Sequence, residues 1–234
     1  MKIMFAFTLP NGVELKHIPA FISYRTHIDK AAVSTELYEL EKNFWMKQPS
    51  RLEGFSDEIG FRAIRGFDVS GNRNWCVNRG VSNFVRQTED YLYDFDVLVF
   101  VDSDISFIKL NYEMLLEDHR DFPDAVIGGC YRDRKGDAFT AGWFNGKTLS
   151  LSTSGFHPVD YTGAGFSIVP KSVFQKLQFP WYWTFYEDIK VPDGTPEGRS
   201  ARCPVADDIY FCKQCQGEHI GVYTDADIIL KHSL

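Results

Sequence analysis

The chain has 234 residues, of which 44% are hydrophobic and 15% aromatic. A chain of this length can bury a substantial core, and it suits one large domain spanning residues 1–234 better than several small ones. The formal charge of −7 argues against a broad nucleic-acid-binding surface and favours a small phosphorylated substrate.

The cysteines and the apolar runs indicate the compartment. Five cysteines are an odd number and too sparse for a disulfide scaffold. The amino terminus lacks a cleavable signal pattern, and no apolar run approaches the ~20 residues that cross a bilayer. We therefore expect reduced thiols in a soluble, cytoplasmic protein. Cys203, Cys212, Cys215 and His219 could form a zinc site, but there is no second CxxC pair, and packing of Cys212 as a small apolar side chain is favoured.

Hydrophobic periodicity predicts strands that alternate with helices. In chain order we expect a strand at 2–8, a helix at 31–47, a loop at 49–73, a helix at 74–88, a buried strand ending at 102, a helix near 112, strands at 124–131, 148–151 and 160–169, and helices at 171–177 and 206–216. The proline- and glycine-rich segment 180–204 is predicted to be an irregular lid loop. This order predicts an α/β fold with a mainly parallel central sheet flanked by helices.

The most informative motif stands at the end of the apolar strand before residue 102. Asp102 and Asp104 are one residue apart at its carboxyl end, which is where open α/β sheets bind ligands. Two like charges placed there repel unless a cation or a donor network lies between them, so the pair indicates a Mg²⁺ or Mn²⁺ site. The alternative is that both carboxylates only cap a turn and the following helix.

Three further motifs could complete such a site. Gly163 and Gly165 precede an apolar strand and could cradle a phosphate or simply form a tight bend. Asp207 and Asp208 open a helix, where they could cap it, hold an acceptor hydroxyl or remove its proton. His232 closes an apolar run and is either a metal ligand or part of a frayed tail.

Several cations stand beside predicted element ends. Arg73, Arg79 and Arg132 could contact a diphosphate, although solvated charges are the ordinary expectation for each. Arg79 and Arg132 are the preferred phosphate contacts, because a guanidinium binds phosphate through two parallel hydrogen bonds.

Taken in order, these motifs resemble those of the GT-A fold glycosyltransferases. The similarity is greatest to small bacterial and phage-type members and to the Anp1-like mannosyltransferase group. It covers residues 67–232, and its elements are the Asn78-Arg79 pair, the Asp-Ser-Asp motif, the Gly-Ala-Gly segment, the Asp-Asp pair and the terminal histidine. The order of the motifs is more specific than any one of them.

The resemblance implies a metal-dependent transferase that moves a sugar from a nucleotide sugar to a hydroxyl acceptor. The donor would be UDP-linked or, as an alternative, GDP-linked, and the acceptor a glycan, a lipid-linked sugar or a modified base. Residues 1–107 would form the nucleotide-binding half and residues 108–234 the acceptor-binding half, with the lid at 180–204. Retention or inversion of the anomeric centre stays open.

Individual roles follow from the same resemblance. Asp104 and His232 would ligate Mn²⁺ or Mg²⁺, and Asp102 would contact the metal through its bound water, or the ribose. Asp207 and Asp208 would line the acceptor site, with Asp208 as the base of an inverting enzyme. The predicted donor-binding residues are Thr8, Pro10, Asn11, Arg79, Asp102, Ser103, Arg132, Gly163 and Gly165.

Other functions remain alternatives. A phage-type enzyme that glycosylates hydroxymethylated DNA bases would need a basic groove, and the net charge counts against it. A nucleotidyltransferase would need a basic, glycine-rich loop after the first strand, whereas residues 9–14 contain one glycine and no cation. A binding module without turnover is the third alternative, and the intact Asp104, Asp208 and His232 favour catalysis over it.

Overall fold

A computed structural model of the protein describes residues 1–9, 17–28, 50–56, 59–65, 69–77, 95–132, 136, 138–191 and 199–232. The helix predicted at 31–47 lies outside the described residues. So do Pro10, Asn11 and the Asn78-Arg79 pair, whose predicted roles stay predictions.

The described residues form strands and helices that alternate along much of the chain. The strands are β1 (Ile3–Thr8), β2 (Ser50–Ser56), β3 (Ile59–Arg65), β4 (Val97–Asp102), β5 (Ile105–Ser106), β6 (Val126–Cys130), β7 (Ala141–Gly142), β8 (Phe156–Pro158), β9 (Tyr161–Thr162), β10 (Phe166–Pro170), β11 (Phe185–Val191), β12 (Arg199–Val205), β13 (Val222–Ile229) and β14 (Lys231–His232). The helices are α1 (Pro19–His27), α2 (Val69–Val77), α3 (Lys109–Asp121), α4 (Lys171–Lys176) and α5 (Asp207–Gly217). The α/β class is confirmed, as are the predicted β1, β6, α4 and α5 to within two residues at each end. The strand predicted to end at residue 102 is β4, and the helix expected near residue 112 is α3.

An eight-stranded sheet forms the centre of the described structure, in the order β2-β3-β1-β4-β10-β6-β13-β8. β1 is parallel to β3 and β4, and β13 is parallel to β6. β10 is antiparallel to both of its neighbours, β4 and β6, and the pairs at the two sheet edges are antiparallel as well. The prediction of a mainly parallel sheet is therefore wrong, and the sheet is mixed. A strand covered on both faces has the same apolar composition whichever way it runs, so the sequence pattern did not reveal the direction of β10.

Both faces of the sheet are buried. Along β4, Leu98 and Phe100 point into one apolar cluster, whereas Val97, Val99 and Val101 point into the cluster on the opposite face. Because alternate residues of a strand face opposite sides, an unbroken apolar run fits a strand covered on both sides. Asp102 ends this run, and it is the first residue of β4 that is not buried.

The segment 49–73, predicted as a loop, instead contains β2, β3 and the first residues of α2. β2 and β3 pair along their full lengths as an antiparallel hairpin. Arginines and glycines in the segment concealed the strands, because one of those arginines is internal. Arg62 is 1% exposed and donates from Nη1 to the carbonyl oxygen of Cys76 at 2.6 Å.

Other element boundaries differ from the prediction. α2 begins at Val69 rather than at Asn74, and the predicted continuation to residue 88 lies outside the described residues. Thr148 makes only an isolated bridge with Gly142, so no strand spans 148–151. The single strand predicted at 160–169 is two strands, β9 and β10, separated by a turn at residues 163–165.

The segment 180–204 is not an irregular loop. Within its described part, β11 and β12 form a two-stranded antiparallel sheet in which Phe185 pairs with Val205. Four of its six prolines and glycines lie in the sequence between the two strands, whose residues are a mixture of apolar and polar types. Trp181, which precedes the hairpin, is 1% exposed and belongs to the core, whereas Trp183 and Tyr186 are exposed.

The cysteines follow the packing interpretation. Cys76, Cys130, Cys212 and Cys215 are buried free thiols, and the side chain of Cys203 lies outside the description. Burial raises the pKa of the Cys212 thiol to about 12, so it is a protonated apolar group at neutral pH. Among the helices described here, none combines the length and the apolar character needed to cross a membrane.

The carboxyl groups of Asp118 on α3 and Asp225 on β13 are expected to make the stability of the protein depend on pH. Burial, followed by the charge of Asp225 on β13 and those of Asp121 and Glu117, raises the pKa of Asp118 to about 7. Since an unfolded Asp titrates near ~3.9, the folded protein holds an extra proton between these values, and its stability falls as the pH rises across that window. We expect Asp118→Asn to raise the free energy of unfolding above about pH 7 and to leave it nearly unchanged near pH 4.

Urea unfolding at both pH values measures this difference. Asp124→Asn, an exposed change just after the same helix, is the matched control and should have a much smaller effect. Equal stabilisation of Asp118→Asn at both pH values would rule out a titration of this carboxyl group.

Candidate active site

The Asp-Ser-Asp motif forms a tight connection between two strands. Asp102 ends β4, residues 103 and 104 make the turn, and β5 begins at Ile105. β5 pairs with β14, and in this register Ile105 lies opposite His232. His232 Nε2 is 3.0 Å from Asp104 Oδ2, although the two residues are 128 positions apart in the chain. The tertiary structure therefore brings together the two residues predicted as metal ligands.

Thr8 lies at the carboxyl end of the strand next to β4. It ends β1 and stands opposite Asp102 in the parallel register of β1 with β4. Its hydroxyl donates to Asp102 Oδ1 at 3.0 Å. Ser103 contacts the start of α1, where its carbonyl oxygen accepts the N–H of Ala20 at 3.4 Å. The predicted donor-binding residues Thr8, Asp102 and Ser103 are thus adjacent.

Arg73 occupies the centre of the site. It is 3% exposed, and Nη1 donates to both oxygens of Asp207 at 2.6 Å, while Nη2 lies 2.8 and 2.9 Å from the two oxygens of Asp102. Burial lowers the pKa of Arg73, but the charges of Asp102, Asp207 and Asp208 raise it well above its ordinary value, so the guanidinium remains charged.

Arg73 is the residue at the centre of this candidate site that the sequence indicated least, since Arg79 and Arg132 were the preferred phosphate contacts. Arg132 is exposed and pairs through a β-bridge with Phe139, and Arg79 lies outside the described residues. The signal for Arg73 is weak because α2 buries polar side chains. Ser70, Asn72 and Asn74 are buried beside it, so no apolar period marks the inner face of the helix.

Asp207 and Asp208 are the first two residues of α5. Asp207 is buried and bound to Arg73, whereas Asp208 is partly buried, and its Oδ1 accepts the N–H of Ile209 at 2.8 Å. Burial raises the pKa of Asp208, Arg73 and the Ile209 N–H lower it, and Asp207 and Asp102 raise it, with a resulting pKa of about 6. At neutral pH this carboxylate is ionised, and its pKa is close enough to the ambient pH for it to accept a proton.

Gly163 and Gly165 provide room for a tyrosine. A Cβ atom at Gly165 would lie 2.6 Å from the hydroxyl oxygen of Tyr131, and one at Gly163 would be closer still. The Gly165 N–H donates to that hydroxyl at 2.9 Å, and the Gly165 carbonyl oxygen accepts the N–H of Asp102. The group that lies closest to the backbone of these two glycines is therefore the Tyr131 side chain. A phosphate contact at these glycines stays a prediction.

The metal prediction depends on two donor atoms. Among the described residues, no group of three or more His, Cys, Asp or Glu side chains lies close enough together to enclose a metal ion. Asp102 is engaged by Arg73 and Thr8, which leaves one carboxylate and one imidazole, those of Asp104 and His232. The Asp104 side chain is 43% exposed and the His232 side chain 15%, so the carboxylate is open to further ligands while the imidazole is mostly covered. Such a donor set fits Mn²⁺ or Mg²⁺ that takes its remaining ligands from water and phosphate.

The site thus combines the carboxyl ends of β1 and β4, a partly buried Asp–His pair and a buried arginine between two carboxylates. No protein-family model matches the chain, and no curated protein matches its sequence. Among solved structures, the chain is similar to the crystal structure of A197 from STIV, with a TM-score of 0.55 and 16% sequence identity over all of this chain and 86% of that one. At this identity the likeness shows a shared fold.

Proposed function

We propose that the protein is a metal-dependent glycosyltransferase that moves a sugar from a nucleotide sugar to a hydroxyl acceptor. The observation that supports this most directly is the 3.0 Å contact between Asp104 and His232 at the sheet edge where Thr8 meets Asp102. A partly buried carboxylate and imidazole next to the carboxyl ends of the parallel strands β1 and β4 are the arrangement expected of a site for a phosphorylated ligand.

The two sides of the site have different tasks in this proposal. Thr8, Asp102 and Ser103 form the donor side, where the ends of β1 and β4 meet. Asp104 and His232 hold the cation, which when bound offsets the negative charge that develops on the departing nucleoside diphosphate. UDP is the first nucleotide to test and GDP the second.

Asp208 carries the proton transfer on the acceptor side. The acceptor oxygen forms a bond to the anomeric carbon while the bond from that carbon to the diphosphate oxygen breaks. The bonding pair leaves with the diphosphate, and the acceptor proton passes to Asp208, whose pKa of about 6 suits a base at neutral pH. Attack assisted by one such base inverts the anomeric configuration.

Two exposed aromatic rings in or just before β11 offer a surface for the acceptor. Trp183 is 54% and Tyr186 60% exposed, and both belong to the hairpin segment whose β12 strand leads into α5. Aromatic faces pack well against the C–H faces of sugar rings, so these side chains favour a carbohydrate acceptor. The net charge of −7 counts against duplex DNA as the acceptor.

Thermal unfolding with a ligand panel tests the proposal. UDP, GDP and their sugar conjugates are each added with Mn²⁺ and with EDTA, because a ligand that binds only the folded state raises the unfolding midpoint. At a concentration of about 100 times Kd, stabilisation of about 2.7 kcal/mol corresponds to a midpoint increase of about 5–10 °C. We expect one nucleotide to give this shift with Mn²⁺ and to lose it with EDTA.

Product analysis completes the test. Sugar transfer or slow donor hydrolysis with the stabilising nucleotide supports the proposal, whereas a shift without any turnover would favour a binding module. Release of pyrophosphate from a nucleoside triphosphate and a sugar phosphate would favour a nucleotidyltransferase. The absence of a shift with every nucleotide, for a folded protein, would overturn the donor site itself.

A further inference from the structure

Arg73 joins three segments that are far apart in the sequence. It lies on α2, Asp102 ends β4 and Asp207 opens α5, and the guanidinium makes close contacts with both carboxylates. Asp102 is two residues before Asp104, and Asp207 is directly before Asp208. The ion pairs therefore connect the strand end that carries the proposed metal ligand to the helix that carries the proposed base.

We propose that Arg73 is the positioning residue of this site and sets the geometry of Asp104 relative to Asp208 by holding Asp102 and Asp207 on one rigid guanidinium. This inference rests on the proposed function for its kinetic consequence, but its structural consequence is measurable without any turnover.

The planar fork of arginine is essential to this role. Nη1 serves one carboxylate and Nη2 the other, at 2.6 to 2.9 Å, so the separation of the two carboxylates follows from the fixed shape of the group. A lysine ammonium is a point charge on a flexible stem, and it can neutralise both carboxylates without fixing the angle between them.

Arg73 is itself held in place by its neighbours. The side chain of Asn74 accepts the N–H groups of Trp181 and Tyr182 at 3.1 and 3.2 Å, and it donates to the carbonyl oxygen of Tyr182 at 2.7 Å. The guanidinium carbon of Arg73 lies 5.7 Å from the centre of the Tyr182 ring. α2 is thus attached to residues 181–182, just before β11. A helix that is held in this way can keep the Arg73 guanidinium in one place.

Arg73→Lys separates positioning from charge neutralisation. If Arg73 positions the site, the lysine variant keeps an unfolding midpoint near that of the wild type but loses about 100-fold in kcat, with a smaller change in the donor KM. If Arg73 only neutralises buried charge, the lysine variant retains kcat. Arg120→Lys, an exposed change on α3, is the matched control and should leave both constants unchanged.

Amide hydrogen exchange gives the readout that needs no activity. In Arg73→Lys we expect the amides of residues 102–106 and 207–210 to exchange about tenfold faster than in the wild type, because a looser clamp permits local opening. If the amides of both segments exchange in Arg73→Lys at the same rates as in the wild type, the positioning role is overturned. If the wild type transfers no sugar, the proposed function fails, and the exchange experiment still decides the role of Arg73.

Arg73→Met shows whether the ion pairs are formed in solution. Removal of the guanidinium leaves two carboxylates uncompensated, so the unfolding midpoint should fall by about 10 °C. Adding Asp102→Asn and Asp207→Asn to this variant removes the uncompensated charges and should recover most of that loss. A midpoint unaffected by Arg73→Met would overturn the proposal, because the clamp would then be absent.

Discussion

Asp208→Asn is expected to lower kcat by about 10²- to 10⁴-fold, which is the usual contribution of a positioned base. The amide is nearly the same size as the carboxylate and can still accept the N–H of Ile209, but it cannot take a proton from the acceptor. The acid side of the wild-type pH profile should fall about tenfold per unit below about pH 6, because protonated Asp208 is inactive as a base. Initial rates across the pH range measure both effects.

In the Asp208→Asn variant, the pH profile of the rate should no longer show the decrease below about pH 6. Asp124→Asn, an exposed change after α3, should retain the wild-type rate and profile. The anomeric configuration of the product, determined by NMR, should be opposite to that of the donor. A retained configuration, or an Asp208→Asn variant with wild-type kcat, would assign the proton transfer to another group.

Asp104→Asn and His232→Ala are expected to weaken Mn²⁺ binding by about 100-fold or more, since even residues behind the metal ligands contribute about 10- to 100-fold to affinity. The two side chains are 3.0 Å apart and supply unlike donor atoms, so each should be needed for binding. Titration of Mn²⁺ in the presence of the stabilising nucleoside diphosphate, followed by electron paramagnetic resonance, measures the affinity directly.

His157→Ala provides the control for the loss of a histidine. His157 lies on the edge strand β8 and contacts the carbonyl oxygen of Ser154, and its removal should leave Mn²⁺ affinity unchanged. Undiminished Mn²⁺ affinity in both Asp104→Asn and His232→Ala would exclude this pair as the cation site. It would leave the nucleotide panel as the independent test of donor binding.

The elements that the sequence predicted correctly share strong local signals. β4 has five apolar residues in succession, and α5 begins with two acidic residues at a helix start. Burial on both faces requires such a run, and unpaired N–H groups at a helix start favour acids. These signals depend on neighbouring residues and can be read without the tertiary structure.

The errors have a common cause in polar residues that are buried. Arg62 concealed β3, and the polar inner face of α2 concealed the start of that helix. The cost of burying a polar group is offset by a specific partner distant in the sequence, as in the hydrogen bond from Arg62 to the Cys76 carbonyl oxygen. Composition and periodicity contain no information about such partners.

The sequence by itself determined the α/β class, the buried strand that ends in Asp102 and the set of carboxylates and histidine from which a site could be made. Only the tertiary structure decided the antiparallel direction of β10, the pairing of β5 with β14 that brings His232 to Asp104, and the position of Arg73 between Asp102 and Asp207. The physical reason is that periodicity records which faces are covered, whereas strand direction and ion pairing depend on contacts between segments separated by as many as 134 residues.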